Sequence, residues 1–355
     1  MRIAIDVSPL QKDRFLQHRV RGTGFYIENL KKSLIKYFPE NKYIFFTRGE
    51  KLPKNLDLVH YPYFEPFFLT LPMFNKHRLV VTVHDLTPLV FPENFPAGVK
   101  GKIKWEIQKK SLYNSSEIIT DSFSSKKDIE KIVGIEDNRI HVVYLAQDQD
   151  FKKIMVPKNE AEDIRKRYNL PEKFTLYVGD VTWNKNLPNL IKAINLINAN
   201  LVMVGYALSQ EKIDINNPWN SDLVKVQELV EGNRNVNVIG FVEKKDLIKI
   251  YNMAEIFVMP SIYEGFGLPV LEAANCGCPV VTTRCGSLPE IIGESAVFVD
   301  PKDIEDIANG IDKVLSNKTL RDKLSKDGLK QAEKFSWHNT AEKTINVYEK
   351  VFRQQ

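Results

Sequence analysis

Residues 256–275 read IFVMPSIYEGFGLPVLEAAN, and the hydrophobic period changes in the middle of them. IFVM is a short unbroken apolar run, as a buried strand shows, whereas Pro269 suits the first turn of a helix and LPVLEAAN continues one. Gly265 and Gly267 therefore fall in the turn where strand hands over to helix. A turn of that kind presents backbone N–H groups beside the positive end of the helix dipole, and two absent side chains let an anion approach closely. Glu264 at the strand end and Glu272 about one turn into the helix flank the position. Carboxylates accept hydrogen bonds in pairs and suit vicinal diols. A phosphate between two diols describes a sugar nucleotide. Spacing alone leaves a second reading open, in which Glu264 is a cap and Glu272 a surface helix residue.

Working outward, apolar runs alternate with helical patterns along the whole chain, as βα units and parallel sheets require. The first half offers RIAIDVS, YIFFTR, DLVHY, RLVVTVH, EIITD and RIHVV; the second offers FTLYVG, LVMVG, VNVIG, IFVMP, PVVTT and AVFVD. Each set predicts one doubly wound sheet, so the fold class is α/β with two Rossmann-like domains. Between them QDQDFKKIMVPKNEAEDIRKRYNLPEK is polar and reads as a linker, placing the domains at residues 1–165 and 166–340. The first helix is expected near Gly24, with Tyr26 or Ile27, Leu30, Leu34 and Phe38 on its buried face. A last helix follows Ser336 or Asn339, with Ala341, Ile345, Tyr348 and Phe352 as its stripe. Sheets of this kind bind ligands outside the carboxyl ends of their strands, so the sites are expected on loops facing one another across an interdomain cleft.

Composition narrows the function. The chain has 355 residues, 43% hydrophobic and 27% charged, as soluble globular proteins do. MRIAIDVSPL reads as a buried strand rather than a secretory signal, and no run approaches the roughly 18 apolar residues of a spanning helix. Three cysteines, Cys276, Cys278 and Cys285, are too few and too crowded for a disulfide framework, which points to a reducing compartment and a cytoplasmic location. The net charge of +5 sits entirely in residues 1–150, which hold 23 Lys and Arg against 18 Asp and Glu. Without a nucleic-acid motif this excess argues against nucleic acid. An anionic membrane face or a phosphorylated acceptor is expected instead.

Three further stretches carry candidate chemistry. In LYVGDVTWNKNLPNLIKA, Gly179 ends a strand, and Lys185 with Asn186 stands where the next helix begins; a lysine there meets a phosphate or is simply solvated. In VRGTGFY, Gly22 and Gly24 follow the first strand, as a binding loop or as ordinary turn chemistry. In VVTVHDLTP, His84 and Asp85 stand at a strand's carboxyl end, within reach of the cleft or as structural groups. The triplet Asp148–Gln149–Asp150 resembles a divalent-metal motif but lies at the linker, and CGC lacks zinc-site spacing, so no metal is expected. Finally, YPYFEPFFLTLPMFNKHR gathers Phe64, Phe67, Phe68, Leu69, Leu71, Met73 and Phe74, while VKGKIKWEIQKK sets Lys100, Lys102, Lys104, Lys109 and Lys110 around Trp105. These suit an anionic bilayer surface, or else a buried loop and a solvated helix face.

With these motifs the sequence resembles the retaining glycosyltransferases of GT-B fold in family 4, a class that includes many bacterial mannosyltransferases. The resemblance runs through GTGFY, VHDLTP, IITDSFSSKKDI, YVGDVTWNKNL, NVIGFV, MPSIYEGFGLPVLEA and GCPVVTTRCGSLPEIIGESAVFVDP to the tail FSWHNTAEKTINVYEKVF. It implies that Glu264 lies near the transferred sugar, that Glu272 holds the nucleotide ribose, and that Gly265, Phe266, Gly267 and Leu268 supply backbone donors to phosphate and sugar. It further implies Lys185 on the diphosphate, His84 close to the reacting sugar, and Gly22 and Gly24 in a loop closing on donor and acceptor. Retention of configuration, independence from a metal or other cofactor, and a final helix, about residues 341–355, returning to the first domain with Trp337 packed at the crossing also follow from the resemblance. One departure stands out: relatives often place an arginine where this chain has Asn184 or Asp180, so diphosphate clamping rests more on Lys185 and backbone N–H groups.

The expected reaction moves a hexose from a nucleotide diphosphate sugar to the hydroxyl of a glycan or lipid-linked acceptor in bacterial polysaccharide, lipopolysaccharide or glycolipid synthesis. GDP-mannose is the favoured donor, with UDP- and dTDP-sugars as alternatives. The protein is expected in the cytoplasm, with peripheral attachment to the inner membrane face. Two rival readings are a nucleotide-sugar epimerase, which needs an acid and a base at C2 of the sugar, and a two-domain sugar-binding protein without chemistry.

Overall fold

The computed structural model describes residues 1–11, 21–73, 76–209 and 213–354. The chain divides into two compact units, Met1–Ala146 with Phe335–Gln355, and Gln147–Lys334. The segment 147–165, which the sequence groups with the first half, lies in the second. Its helix Lys158–Tyr168 is held there: Arg167 Nη1 and the Tyr168 hydroxyl both reach Asp246 Oδ2, at 2.6 and 2.8 Å, and Glu160 pairs with Lys249 at 2.5 Å.

In the first unit the strands are β1 (Arg2–Asp6), β2 (Lys42–Phe46), β3 (Leu58–Tyr61), β4 (Leu79–Val83), β5 (Glu117–Thr120) and β6 (Ile140–Val142). Among the described residues they form a parallel six-stranded sheet in the order β2-β1-β3-β4-β5-β6. All five residues of β4 are buried because helices cover both faces of the sheet, which is why its sequence reads as an unbroken apolar run rather than an alternation.

The first helix, Arg21–Tyr37, buries Tyr26, Ile27, Leu30 and Leu34, one stripe at helical spacing. It starts three residues before Gly24, so Gly22 and Gly24 lie in its opening turns and not in a loop. Phe38 falls beyond its end.

The helix Trp337–Arg353 belongs to this same unit. Ser336 caps it by accepting from Asn339 N–H at 3.2 Å, and buried Trp337 meets the Phe25 ring edge-on at 5.7 Å. Its buried face is wider than the apolar stripe suggests, for it includes Thr340 and Thr344 and ends at Val351, leaving Phe352 38% exposed. The hydroxyl of Thr340 donates to Tyr144 O and that of Thr344 to Thr340 O, so both bury without an orphaned polar atom.

The second unit contains β7 (Thr175–Val178), β8 (Leu201–Val204), β9 (Val236–Gly240), β10 (Ile256–Met259), β11 (Val280–Thr283) and β12 (Ala296–Val299). They form a second parallel sheet, again of six strands among the described residues, in the order β12-β11-β10-β7-β8-β9. Chain order reverses between β7 and β10, which lie side by side with Phe257 opposite Leu176. Helix Leu187–Leu196 buries Leu187, Leu190, Ile191 and Ile194 against this sheet beside Tyr177, Ile256 and Val258. Each such side chain contributes about 1.5–3 kcal/mol when fully buried. Packed against that helix in the same core, the helix Ile304–Ser316 presses onto the sheet at Gly310, where a Cβ would lie 2.3 Å from Val299 Cγ1.

Candidate active site

Strand order fixes where a ligand belongs in the second unit. In an open parallel sheet the loops at a reversal diverge to opposite faces and leave a crevice at the carboxyl ends. The two loops at this reversal follow β7 and β10, and they carry Lys185 and Glu264, 79 residues apart in sequence.

The two loops are sewn together by asparagine side chains. Asn184 Nδ2 donates to Tyr263 O at 2.9 Å, its own carbonyl accepts from Ile262 N–H at 2.7 Å, and Thr182 Oγ1 donates to its Oδ1 at 2.7 Å. Asn186 is buried in a left-handed conformation at φ 59°, which asparagine tolerates better than most residues, and its Nδ2 donates to Pro260 O and Pro301 O at 3.1 and 2.7 Å. Asn186 thus holds the backbone corner, and Asn184 staples that corner to the neighbouring loop.

The corner so built aims Lys185 Nζ at both carboxylate oxygens of Glu264, at 2.7 and 2.8 Å, while Ser261 Oγ donates to Glu264 Oε1 at 2.6 Å. The Glu264 side chain is 8% exposed and that of Lys185 19%. The next loop grips Glu264 from behind: Ser287 Oγ donates to Glu264 O and Phe266 O at 3.0 and 2.8 Å. Gly286 comes so close that a Cβ would lie 2.5 Å from Glu264 O. Glu264 is therefore a fixed acceptor, not a mobile cap.

Beyond Gly265 and Phe266, Gly267 opens the helix Leu268–Asn275 at φ 97°, with no side chain in the capping position and Pro269 in the first turn. Gly179, at the end of β7, is also a close-approach position, since a Cβ there would meet the Tyr177 hydroxyl at 2.6 Å. Glu272, on the helix, is half-buried and accepts from the Tyr251 hydroxyl at 3.0 Å. Burial pushes its carboxyl up to about 7, the Tyr251 hydrogen bond opposing and the Asp148 carboxylate adding to the effect. The second unit thus presents an ammonium, a helix N-terminus and two carboxylates. Such a set can neutralise a diphosphate and accept from hydroxyls.

The first unit brings a different pair together. His84 follows β4 and Asp121 follows the neighbouring β5; His84 Nδ1 and Asp121 Oδ2 are 2.7 Å apart. His84 Nε2 and Asp121 Oδ1 are buried and, among the described residues, find no hydrogen-bond partner. Burial depresses the imidazole's basicity, but the Asp121 carboxylate, Asp85 and the Pro62 carbonyl outweigh it and hold the His84 pKa above its ordinary value. Asp85 itself accepts from Thr87 N–H at 2.8 Å, fixing the turn that follows. Behind His84, His60 is fully buried between the Tyr348 hydroxyl and Thr82 Oγ1, at 2.6 and 2.8 Å, and burial lowers its pKa to about 3. Asp121 ends the strand run EIITD just as His84 ends RLVVTVH, and that parallel in the sequence marks Asp121 as a second polar group at a strand's carboxyl end.

Other expectations resolve simply. Asp148 and Asp150 close on Lys244 at 2.9 and 2.5 Å, so the acid triplet is an ion-pair cluster. Cys276 and Cys278 are buried free thiols and Cys285 is partly buried. Among the described residues no helix is long and apolar enough to cross a membrane. Phe74 lies outside the described residues.

Comparison with known proteins agrees with this geometry. Residues 8–151 match the family model Glycosyltransferase Family 4, and residues 160–331 match Glycosyl transferases group 1. O-antigen chain mannosyltransferase B of Escherichia coli is 33% identical over 287 residues, covering 76% of this chain and 70% of its own. The serotype-specific mannosyltransferase WbdA of Escherichia coli is 27% identical over 78% of this chain, which spans only 34% of that protein. Among solved structures, sucrose-phosphate synthase from Thermosynechococcus elongatus superimposes with a TM-score of 0.77 at 19% identity, covering 100% of both chains. HepE of Anabaena, solved in complex with UDP and glucose, has a TM-score of 0.71 at 15% identity, covering 99% of this chain and 100% of its own.

Proposed function

This chain belongs to the family 4 glycosyltransferases and has their GT-B fold, and from that premise we propose that it transfers mannose from GDP-mannose to a hydroxyl of a growing bacterial surface glycan, with retention of configuration. The observation that carries the reading is the corner in which Lys185, the N-terminus of the helix Leu268–Asn275 and Glu264 converge at the strand-order reversal. Mannose is favoured because curated relatives are mannosyltransferases; UDP- and dTDP-sugars are the alternatives.

In this mechanism the sugar C1–O bond to the diphosphate breaks, a C1–O bond to the acceptor forms, and the acceptor's proton leaves with the diphosphate. The barrier falls mainly through electrostatic stabilisation of the departing charge and through positioning. Lys185 exchanges its Glu264 partner for the diphosphate, adding a charge to the helix dipole. Glu264, released from Lys185 but still held by Ser261, accepts from a hydroxyl of the transferred sugar. Glu272 accepts from the ribose diol, most strongly once it is ionised. Asn186 acts through the backbone corner it fixes, and Gly265, Phe266, Gly267 and Leu268 supply backbone N–H groups. His84 offers Nε2 to a sugar hydroxyl, with Asp121 holding the ring. Charge neutralisation by Lys185 and the helix end makes the reaction independent of a metal.

The test is product analysis with GDP-mannose, UDP-glucose and a dTDP-sugar after a thermal-shift screen, because the cognate donor stabilises the protein by mass action. Release of nucleoside diphosphate together with a mannosylated acceptor supports the reading. Isomerised free donor, or ligand binding without turnover, contradicts it.

A further inference from the structure

Four buried polar side chains lie where the first sheet meets the last helix, and the transfer mechanism uses none of them. Tyr348 is on that helix, His60 on β3, Thr82 on β4 and Tyr26 on the first helix, each at most 1% exposed. They form a continuous chain: Tyr348 Oη to His60 Nδ1 at 2.6 Å, His60 Nε2 to Thr82 Oγ1 at 2.8 Å, and Thr82 Oγ1 to Tyr26 Oη at 3.2 Å. The chain ends on His84, whose ring meets that of Tyr26 edge-on, 4.9 Å between centroids and 87° between planes. Thr82 also stands two residues before His84 on the same run of backbone.

The His60 ring locks the chain. Burial, and after it the charge of His84, keep the imidazole neutral, so it carries a single ring proton. If Nδ1 accepts from Tyr348 then Nε2 donates to Thr82, and in the other tautomer both bonds reverse together. Turning the ring breaks both at once. Such a chain fixes side-chain angles that an apolar core would leave to packing alone. Stability does not demand it, because apolar groups of the same shape in place of both partners of a buried hydrogen bond cost little. Trp337, at the start of the same helix, holds Tyr26 from a second side with its ring 6.2 Å away. Tyr26 is thus tied to the last helix at two points and lies against His84 at a third.

We propose that Tyr348, His60, Thr82 and Tyr26 are positioning residues that hold the His84 ring at the angle from which Nε2 meets the sugar hydroxyl, which makes the last helix part of the site. The inference rests on the role given to His84 in the proposed transfer. Turnover depends on this network more than donor affinity does, since the corner that takes the diphosphate is in the second unit.

The test cuts the chain in two ways. Tyr348→Phe combined with His60→Leu removes both partners of one bond and leaves apolar groups in their place; Thr82→Val cuts the middle, and Thr82→Ser restores the hydroxyl. The His84 ring is followed by NMR in each apo protein, its signals assigned by their loss in His84→Ala, and kcat and KM are measured from GDP release with GDP-mannose, below the melting temperature of every variant. The double variant and Thr82→Val should shift the His84 ring signals and lower kcat about tenfold with KM changed less than about twofold, while Thr82→Ser behaves as the native chain. Added to His84→Ala, the Tyr348→Phe, His60→Leu pair should cost nothing further. Unmoved His84 signals in the folded variants overturn the proposal whatever the turnover. So does native kcat in them while His84→Ala is impaired, or a further loss on top of His84→Ala. Native turnover in His84→Ala refutes the role of His84 itself, and the network's role falls with it.

Discussion

Lys185 and Glu264 neutralise one another before any ligand arrives, which makes each a sensitive probe of the other. Removing Lys185 leaves a nearly buried carboxylate without its cation and deprives the diphosphate of a charge-assisted bond, a contribution of about 1.5–3 kcal/mol. Lys185→Ala should therefore raise the donor Kd roughly tenfold to a hundredfold by calorimetry, whereas Glu264→Ala should abolish transfer in a product assay. Glu272 gives a pH-dependent counterpart. Burial holds its folded pKa at about 7, above the ordinary 4.5 of a glutamate carboxyl, so stability present at low pH is lost as pH rises through that interval. Glu272→Gln escapes the loss, and its melting temperature relative to the native chain should climb between those two pH values and level off above them. A constant difference would contradict the burial argument. For His84, Asp121→Asn should lower the ring pKa in an NMR titration, because Asp121 is the largest of the influences raising it against burial, while Asp85 and the Pro62 carbonyl remain. An unchanged titration would separate Asp121 from His84. Of these residues Lys185, Glu264, Glu272 and His84 are legible in the sequence as charged groups at strand and helix ends. Asn184 and Asn186 are not legible as staples, since what they bind is backbone carbonyl from another loop, and carbonyls leave no mark on a sequence.

At the scale of elements, both sheets were readable because parallel strands covered on two faces appear as apolar runs between helical patterns, and each expected run forms a strand. What was not readable follows from side chains whose role contradicts their polarity. Thr340 and Thr344 bury on the last helix by bonding backbone oxygens, which broadens its inner face past the apolar stripe and turns Phe352 outward. Gln108 buries on the helix Gly98–Tyr113 by bonding the Thr70 and Leu71 backbone, while Val99 and Ile103 of that helix stay exposed. The linker's helix joins the second unit through Asp246, a partner far along the chain. Close approach can be tested at Gly310. Gly310→Val would drive methyl groups into Val299 and Val281 and should destabilise the second unit by about 1–3 kcal/mol in urea, with donor affinity changed little while the unit stays folded.

For the molecule as a whole, the return of the chain to its first unit is a stability element. Trp337, Ala341, Ile345, Tyr348 and Val351 are buried there, His60 keeps a hydrogen bond only the last helix supplies, and Lys350 and Gln354 reach the buried carboxylate of Glu117 at 3.0 Å each. Ending the chain after Lys334 should expose that surface and make the first unit the early target in limited proteolysis; full protease resistance would contradict this role. The proposed transfer rests on the corner between β7 and β10. The most direct measurement is a calorimetric titration of the nucleotide diphosphate sugar that stabilises the protein most, into the native chain and into Lys185→Ala. The account predicts a donor Kd at least tenfold weaker in the variant, titrated at a temperature where both apo proteins are folded, since loss of the Glu264 partner also lowers the variant's melting temperature. Equal affinity in both would place the diphosphate elsewhere and contradict it.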